Sequence, residues 1–232
     1  MRANPPSKPQ SAGHAHALSR KLAWPSPTYQ RGPAVGKSRL EAFSDGVIAV
    51  IITIMVLELK APHDASLGAL AELWPVFLSY LLSFVYVGIY WNNHHHLMHA
   101  VRRINGGVLW ANLHLLFWLS LIPFTTAWMA ENHFGEAPVA AYSFVLLMCG
   151  VAYTMLATCL SRIDGRNLTL GQVSGRRDIK GLLSIAGYLL AIICAFFVKG
   201  VSLALIVAVA LMWFVPDRRI EKTVPPDGAE AE

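Results

Sequence analysis

Arg39-Leu-Glu-Ala-Phe-Ser-Asp-Gly-Val-Ile-Ala-Val50-Ile-Ile-Thr-Ile-Met-Val-Leu-Glu-Leu59 begins with charge and then runs apolar from Gly46 to Leu57. The run 42–59 has nearly the ~20 residues that a helix needs to cross a bilayer. Its carboxyl and apolar positions fall on different sides of a 3.6-residue helix. Glu41 and Asp45 are four apart and share one face. Phe43, Gly46, Val50, Ile54 and Leu57, flanked by Thr53, form a second stripe, with Asp45 on the side away from Val50 and Leu57.

Five more runs of the same kind follow, at 73–91, 108–129, 139–160, 179–198 and 201–215. Pro75 stands near the start of its run, where a helix tolerates it, whereas Pro123 stands late in the third and should kink or stop it. The composition agrees: of 232 residues, 55% are apolar and 14% charged, with mean hydropathy +0.46. A soluble domain carries about one quarter charged residues, so an ordinary soluble enzyme is excluded. The fold class expected is an all-α membrane protein with six transmembrane helices. The first 38 residues read as a disordered, basic cytosolic tail rather than a cleaved signal, because no apolar core falls where a signal places one. Residues 39–216 form the six-helix domain, and 217–232 a second cytosolic tail.

Orientation follows from the cations. Seventeen of the 19 Lys and Arg lie before the first run, after the second, after the fourth or beyond the sixth, leaving Lys60 and Lys199 for the other side. Cytosolic loops carry the excess of Lys and Arg, which puts both termini in the cytosol of a multi-pass protein of the cell (inner) membrane.

The polar residues inside the runs carry the remaining information. Ser44 and Asp45 have two readings: capping a helix N-terminus, or lying one turn into the membrane, where Asp45 needs a partner. Arg39, His94, His95, Arg102, Arg103 and Asn112 are all at a suitable depth, with His94 or His95 favoured. In Trp91-Asn-Asn-His-His-His-Leu-Met-His99, His95 and His99 share a helix face. No third ligand lies nearby in sequence, so no metal is expected. Asn112 and His114 suit hydrogen bonds between helices. Cys149, Cys159 and Cys194 all fall in apolar runs and read as small hydrophobes, not a disulfide or metal framework. No nucleotide-binding glycine pattern or zinc-type cysteine spacing occurs, and nucleic-acid binding is not expected.

Arg39-x-x-x-Phe43-Ser44-Asp45-Gly46-Val47 with Thr53, then Trp91-x-x-His94-His95-x-Leu97, then Leu109-Trp-x-Asn112-Leu113 running to Leu121-x-Pro123-Phe124, resembles the lysosomal potassium channel family, transmembrane protein 175, and its bacterial relatives. The resemblance covers residues 39–129; the later helices agree by hydropathy. It implies a single-repeat, bacterial-type chain forming a homotetramer around a potassium-permeable pore lined by helix 1. It also implies a constriction at Val50, Thr53, Ile54 and Leu57, with Val50 where the family often has Ile or Leu. Arg39, Ser44, Asp45, His94, His95 and Asn112 would then be a structural polar network holding helix 1. Asn105 stands where relatives often carry an acid. The implied partners are potassium ions, the lipid bilayer and further copies of the chain, with no cofactor and no enzymatic activity. The absence of a Thr-Val-Gly-Tyr-Gly stretch excludes a carbonyl filter and leaves an apolar neck. The rival readings are a proton-linked secondary transporter using Asp45 and neighbouring histidines, a membrane enzyme with a histidine metal site, and a scaffold without transport.

Overall fold

The computed structural model describes residues 36–99, 101, 104–163 and 168–214, and every regular element among them is helical. Residues 1–35 of the first expected tail, the whole of the second and the arginines at 102, 103 and 166 lie outside these residues, while Lys37 and Ser38, expected in the tail, are already helical. Helix α1 is Lys37–Leu57, α2 Leu67–Glu72, α3 Trp74–His99, α4 Gly106–Ser120, α5 Ile122–Glu131, α6 Glu136–Ile163, α7 Leu168–Ala195 and α8 Lys199–Phe214.

Four spans are long and apolar enough to cross a membrane: α1, α3, α4 with α5, and α6. The segment Ile179–Ala195 of α7 and the whole of α8 are shorter apolar helices. These correspond to the six runs of the sequence. The short α2 was not anticipated. Ser66 caps it by accepting from the Ala69 N–H at 3.2 Å, a cap that serine supplies readily.

Pro123 does stop the third helix. Leu121 closes α4 with its N–H on the Trp118 carbonyl at 3.2 Å, and α5 starts at Ile122 with the proline in its first turn. A proline there gives up no intrahelical bond, whereas deeper in a helix it would lose one and clash with the carbonyl four residues back. Asn105 begins α4, its side chain accepting from the Val108 N–H at 3.0 Å. An aspartate could do the same. Between α5 and α6 the chain turns through His133 and Phe134, at φ 48° and 58°. The Phe134 N–H closes back on the Met129 carbonyl at 3.0 Å, and its ring is buried against Trp74, centroids 5.7 Å apart.

Helix α1 packs on α3, α4 and α5, while α6 touches α4, α5, α7 and α8 and so forms the centre. Tyr86, Tyr142, Leu115, Leu119, Leu146 and Leu156 fill the core. Without a hydrophobic drive between helices in lipid, polar pairs and close backbone approach take a larger share of the packing. Ser83 bonds Thr126 at 2.6 Å and Tyr142 at 3.0 Å, joining α3, α5 and α6. The Ser202 hydroxyl of α8 donates to the Ala191 carbonyl of α7 at 2.8 Å. Helices α7 and α8 are so close at Gly187 that a Cβ there would lie 2.9 Å from a Val209 methyl.

Candidate functional site: the two faces of α1

The buried residues of α1 are Leu40, Ser44, Ile48, Ile51 and Met55. Their spacing follows the helix period, and they face the rest of the chain. The opposite stripe stays open: Phe43 is 51% exposed, Val50 55%, Ile54 43% and Leu57 76%. Gly46 and Thr53 are exposed on the same stripe. The Thr53 hydroxyl donates to the Val50 carbonyl at 2.9 Å, so its oxygen lone pairs are the polar feature it presents outward. Beside this stripe runs a groove of about 730 Å³ lined by Val50, Ile54 and Glu58 of the α1 end and by Ser120, Pro123 and Phe124. Phe124 is itself 65% exposed. An exposed apolar stripe continuous with such a groove is a surface that wants covering, by lipid or by protein.

On the inner face lies a buried hydrogen-bond chain. Ser44 donates its hydroxyl to the Leu40 carbonyl at 2.8 Å. Its oxygen therefore accepts, and it does so from Asn112 Nδ2 at 2.9 Å. That orients the amide and leaves Asn112 Oδ1, an acceptor, facing His94 Nε2 at 2.8 Å. The His94 ring must then carry a proton on Nε2. Ser44 and Asn112 are fully buried and His94 is 2% exposed. One residue from each of α1, α3 and α4 is thus fixed in rotation about its helix axis. A lost member leaves a buried polar group unpaired, which is costly.

Asp45 departs from expectation. Its carboxylate accepts from the Trp91 indole N–H at 3.0 Å, and neither His94 nor His95 is its partner. In the single chain it is exposed rather than buried. The physical reason is the helix phase: Ser44 points into the bundle, so its neighbour 100° around lands at the α1–α3 edge, where Trp91 reaches it. The capping reading is excluded as well. Helix α1 begins at Lys37 with Gly36 before it and no side-chain cap, so Ser44 and Asp45 lie two turns inside. Arg39 is exposed, and Glu41 pairs with Lys37 at 3.6 Å rather than joining Asp45.

His95 is outside the buried chain, exposed and stacked on Trp91. His114 accepts from Trp118 Nε1 at 2.9 Å within its own helix, so the expected interhelical bond is not the one formed. Cys149 is buried and all three cysteines are free. The reading of the sequence gave no role to three residues that the structure sets at these faces: Trp91, Glu58 and Phe124. For Trp91 the available signal was its place one turn before His95 on the same helix face; a tryptophan near a membrane boundary has other common roles. Among the described residues no group of three or more His, Cys, Asp or Glu side chains is placed to hold a metal.

The family model for the endosomal/lysosomal potassium channel TMEM175 matches residues 39–123. A potassium channel of Chryseobacterium sp. (strain P1-3) is 50% identical over 188 residues, covering 81% of this chain and 97% of that one. The endosomal/lysosomal proton channel TMEM175 of Bos taurus is 30% identical over 138 residues, 54% of this chain and 28% of that one. The crystal structure of a lysosomal potassium-selective channel TMEM175 homolog from Chamaesiphon minutus aligns with a TM-score of 0.68 at 26% identity, covering 77% of this chain and 96% of that one.

Proposed function

The chain belongs to the TMEM175 family of potassium channels, and on that premise we propose that four copies form a potassium-permeable channel in the cell (inner) membrane, its pore lined by α1. The observation that supports this reading best is the open stripe of α1. Among the described residues Phe43, Val50, Ile54 and Leu57 stay exposed, while the opposite face is locked by the Ser44–Asn112–His94 chain. A helix held in rotation by one face presents the other at a defined angle, which a pore wall requires.

In this arrangement Val50 and Leu57, seven residues apart, stand about 10 Å from each other along the axis. They form two apolar rings with Thr53 hydroxyls between them. Such a neck passes ions with partial dehydration and closes by dewetting. Glu58 follows directly after Leu57 and is exposed. Repeated around the axis it forms an acidic mouth that concentrates cations. Asp45, Trp91, His94 and Asn112 hold the wall and do not touch the ion.

The six-span, cytosol-in topology completes the proposal. At 16 residues α8 is about 24 Å long, somewhat short of the ~30 Å hydrocarbon core. The distribution of Lys and Arg favours a cytosolic side for the segment before α1 and the segment after α8.

The deciding experiment is ion flux from the purified protein in liposomes, with K+, Na+ and pH gradients compared. A channel gives K+ flux that continues without a proton gradient and does not saturate as a coupled cycle does. Flux that requires a proton gradient in fixed ratio would instead support the transporter reading, and no flux above protein-free liposomes removes both.

A further inference from the structure

Trp91, His95 and His99 stand one helical turn apart on an exposed face at the end of α3. The His95 ring stacks on Trp91 at 5.8 Å and 27° between planes. His99 lies closer, with ring centroids 4.4 Å apart and planes tilted by 58°, and His96 meets the ring edge-on at 5.9 Å. The buried hydrogen-bond chain uses His94 and leaves this pair unused. Two imidazoles this close, four residues apart on one helix and exposed among the described residues, have the spacing at which two ring nitrogens converge on one ion. Imidazole suits Zn2+, Cu2+ and Ni2+, whereas K+ and Mg2+ prefer oxygen.

We propose that His95 and His99 form a two-histidine site for a first-row transition-metal ion, with water filling the remaining positions. The sequence alone set this pair aside because structural and catalytic zinc use three or four protein ligands. Among the described residues no larger ligand group forms, so the site is an exchangeable one rather than a structural one. Its position gives it a consequence. His95 packs on the indole whose N–H holds Asp45 of α1. An ion that fixes the His95 ring therefore acts on the Trp91–Asp45 contact, and through it on α1.

The site itself is tested by binding, which does not depend on the channel reading. Tag-free, detergent-solubilised protein is titrated with Cu2+ and with Zn2+, and the Cu2+ form is examined by electron paramagnetic resonance. The expected result is one ion per chain, Cu2+ held more tightly than Zn2+, and a spectrum with two nitrogen ligands. His95→Ala and His99→Ala, each eluting as wild type in gel filtration, should each weaken binding at least tenfold. Binding equal to wild type in the double variant, or no stoichiometric binding in wild type, overturns the site. The link to α1 rests on the proposed channel activity and is read by K+ flux in liposomes with and without saturating Zn2+. Flux that changes in wild type and not in the double variant supports the link. Unchanged flux with the site loaded overturns the link and leaves the ion site standing.

Discussion

The indole N–H of Trp91 on α3 donates to the carboxylate of Asp45 on α1 at 3.0 Å. This joins an acid that lies two turns into α1 to the helix carrying the histidine run. The partner is a neutral donor, so the pair brings no second charge into the membrane boundary. Its edge position leaves Asp45 exposed in the single chain.

Removing this donor while keeping an aromatic ring isolates the bond. Trp91→Phe should lower stability by roughly 1 kcal/mol, below the ~1.5–3 kcal/mol of a hydrogen bond to a charged group because both partners are exposed. The measurement is the melting temperature of the solubilised protein together with its oligomer distribution. Asp45→Asn, which keeps an acceptor oxygen, should be milder than Asp45→Ala. An Asp45→Ala protein with normal oligomers and altered ion preference would place Asp45 in the pore instead.

The buried chain predicts an asymmetry between its members. Asn112→Leu strands the His94 Nε2–H and the Ser44 oxygen together, each at about 1–3 kcal/mol for an unsatisfied buried group. Ser44→Ala removes a hydroxyl and leaves only one Asn112 donor unpaired. Asn112→Leu should therefore lower folded yield and thermal midpoint more than Ser44→Ala. Equal losses would show that His94 does not depend on Asn112.

On the pore reading, each substitution on the open stripe of α1 acts four times around one ring. Leu57→Ala and Val50→Ala should widen the neck, raise unitary conductance and reduce K+ over Na+ discrimination. Leu57→Asn and Val50→Asn should wet it and remove a dewetting barrier. Single-channel recording reads these effects independently of how much protein folds. Unitary conductance and ion ratio unaltered in all four variants would remove α1 from the pore.

Gly187 tests the α7–α8 hairpin. An alanine Cβ there meets a Val209 methyl at 2.9 Å, too close for an ordinary contact, so Gly187→Ala should cost about 1–3 kcal/mol through overpacking. Val209→Ala in the same chain should restore most of that loss by removing the opposing methyl. The check is the pair of melting temperatures; a Gly187→Ala protein as stable as wild type would mean the helices separate freely.

Topology is read by labelling. In a background lacking Cys149, Cys159 and Cys194, a cysteine at Glu131 or Glu136 should react with an impermeant reagent from outside intact cells. One at Ser161 should react only after permeabilisation. The reverse pattern overturns the orientation drawn from Lys and Arg.

Residue patterning by itself determined the helical spans, the apolar stripe of α1 and the break at Pro123. Each of these follows from local physics: bilayer thickness sets span length, the 3.6-residue turn sets the faces, and a missing N–H with a fixed φ ends a helix. The family resemblance grouped Arg39, Ser44, Asp45, His94, His95 and Asn112 as one network; Ser44, Asn112 and His94 form a bonded chain, whereas Arg39 and His95 are exposed and Asp45 bonds Trp91 instead. Only the tertiary structure decided who partners whom. Asp45 had several polar residues at its depth, and sequence periodicity gives no information on how each helix is rotated against its neighbours. That rotation is set by the packing of Ile48, Ile51 and Met55 into the bundle and by the Ser44–Asn112 bond. Once Ser44 turns inward, the next residue is carried to the α1–α3 edge, and it meets Trp91.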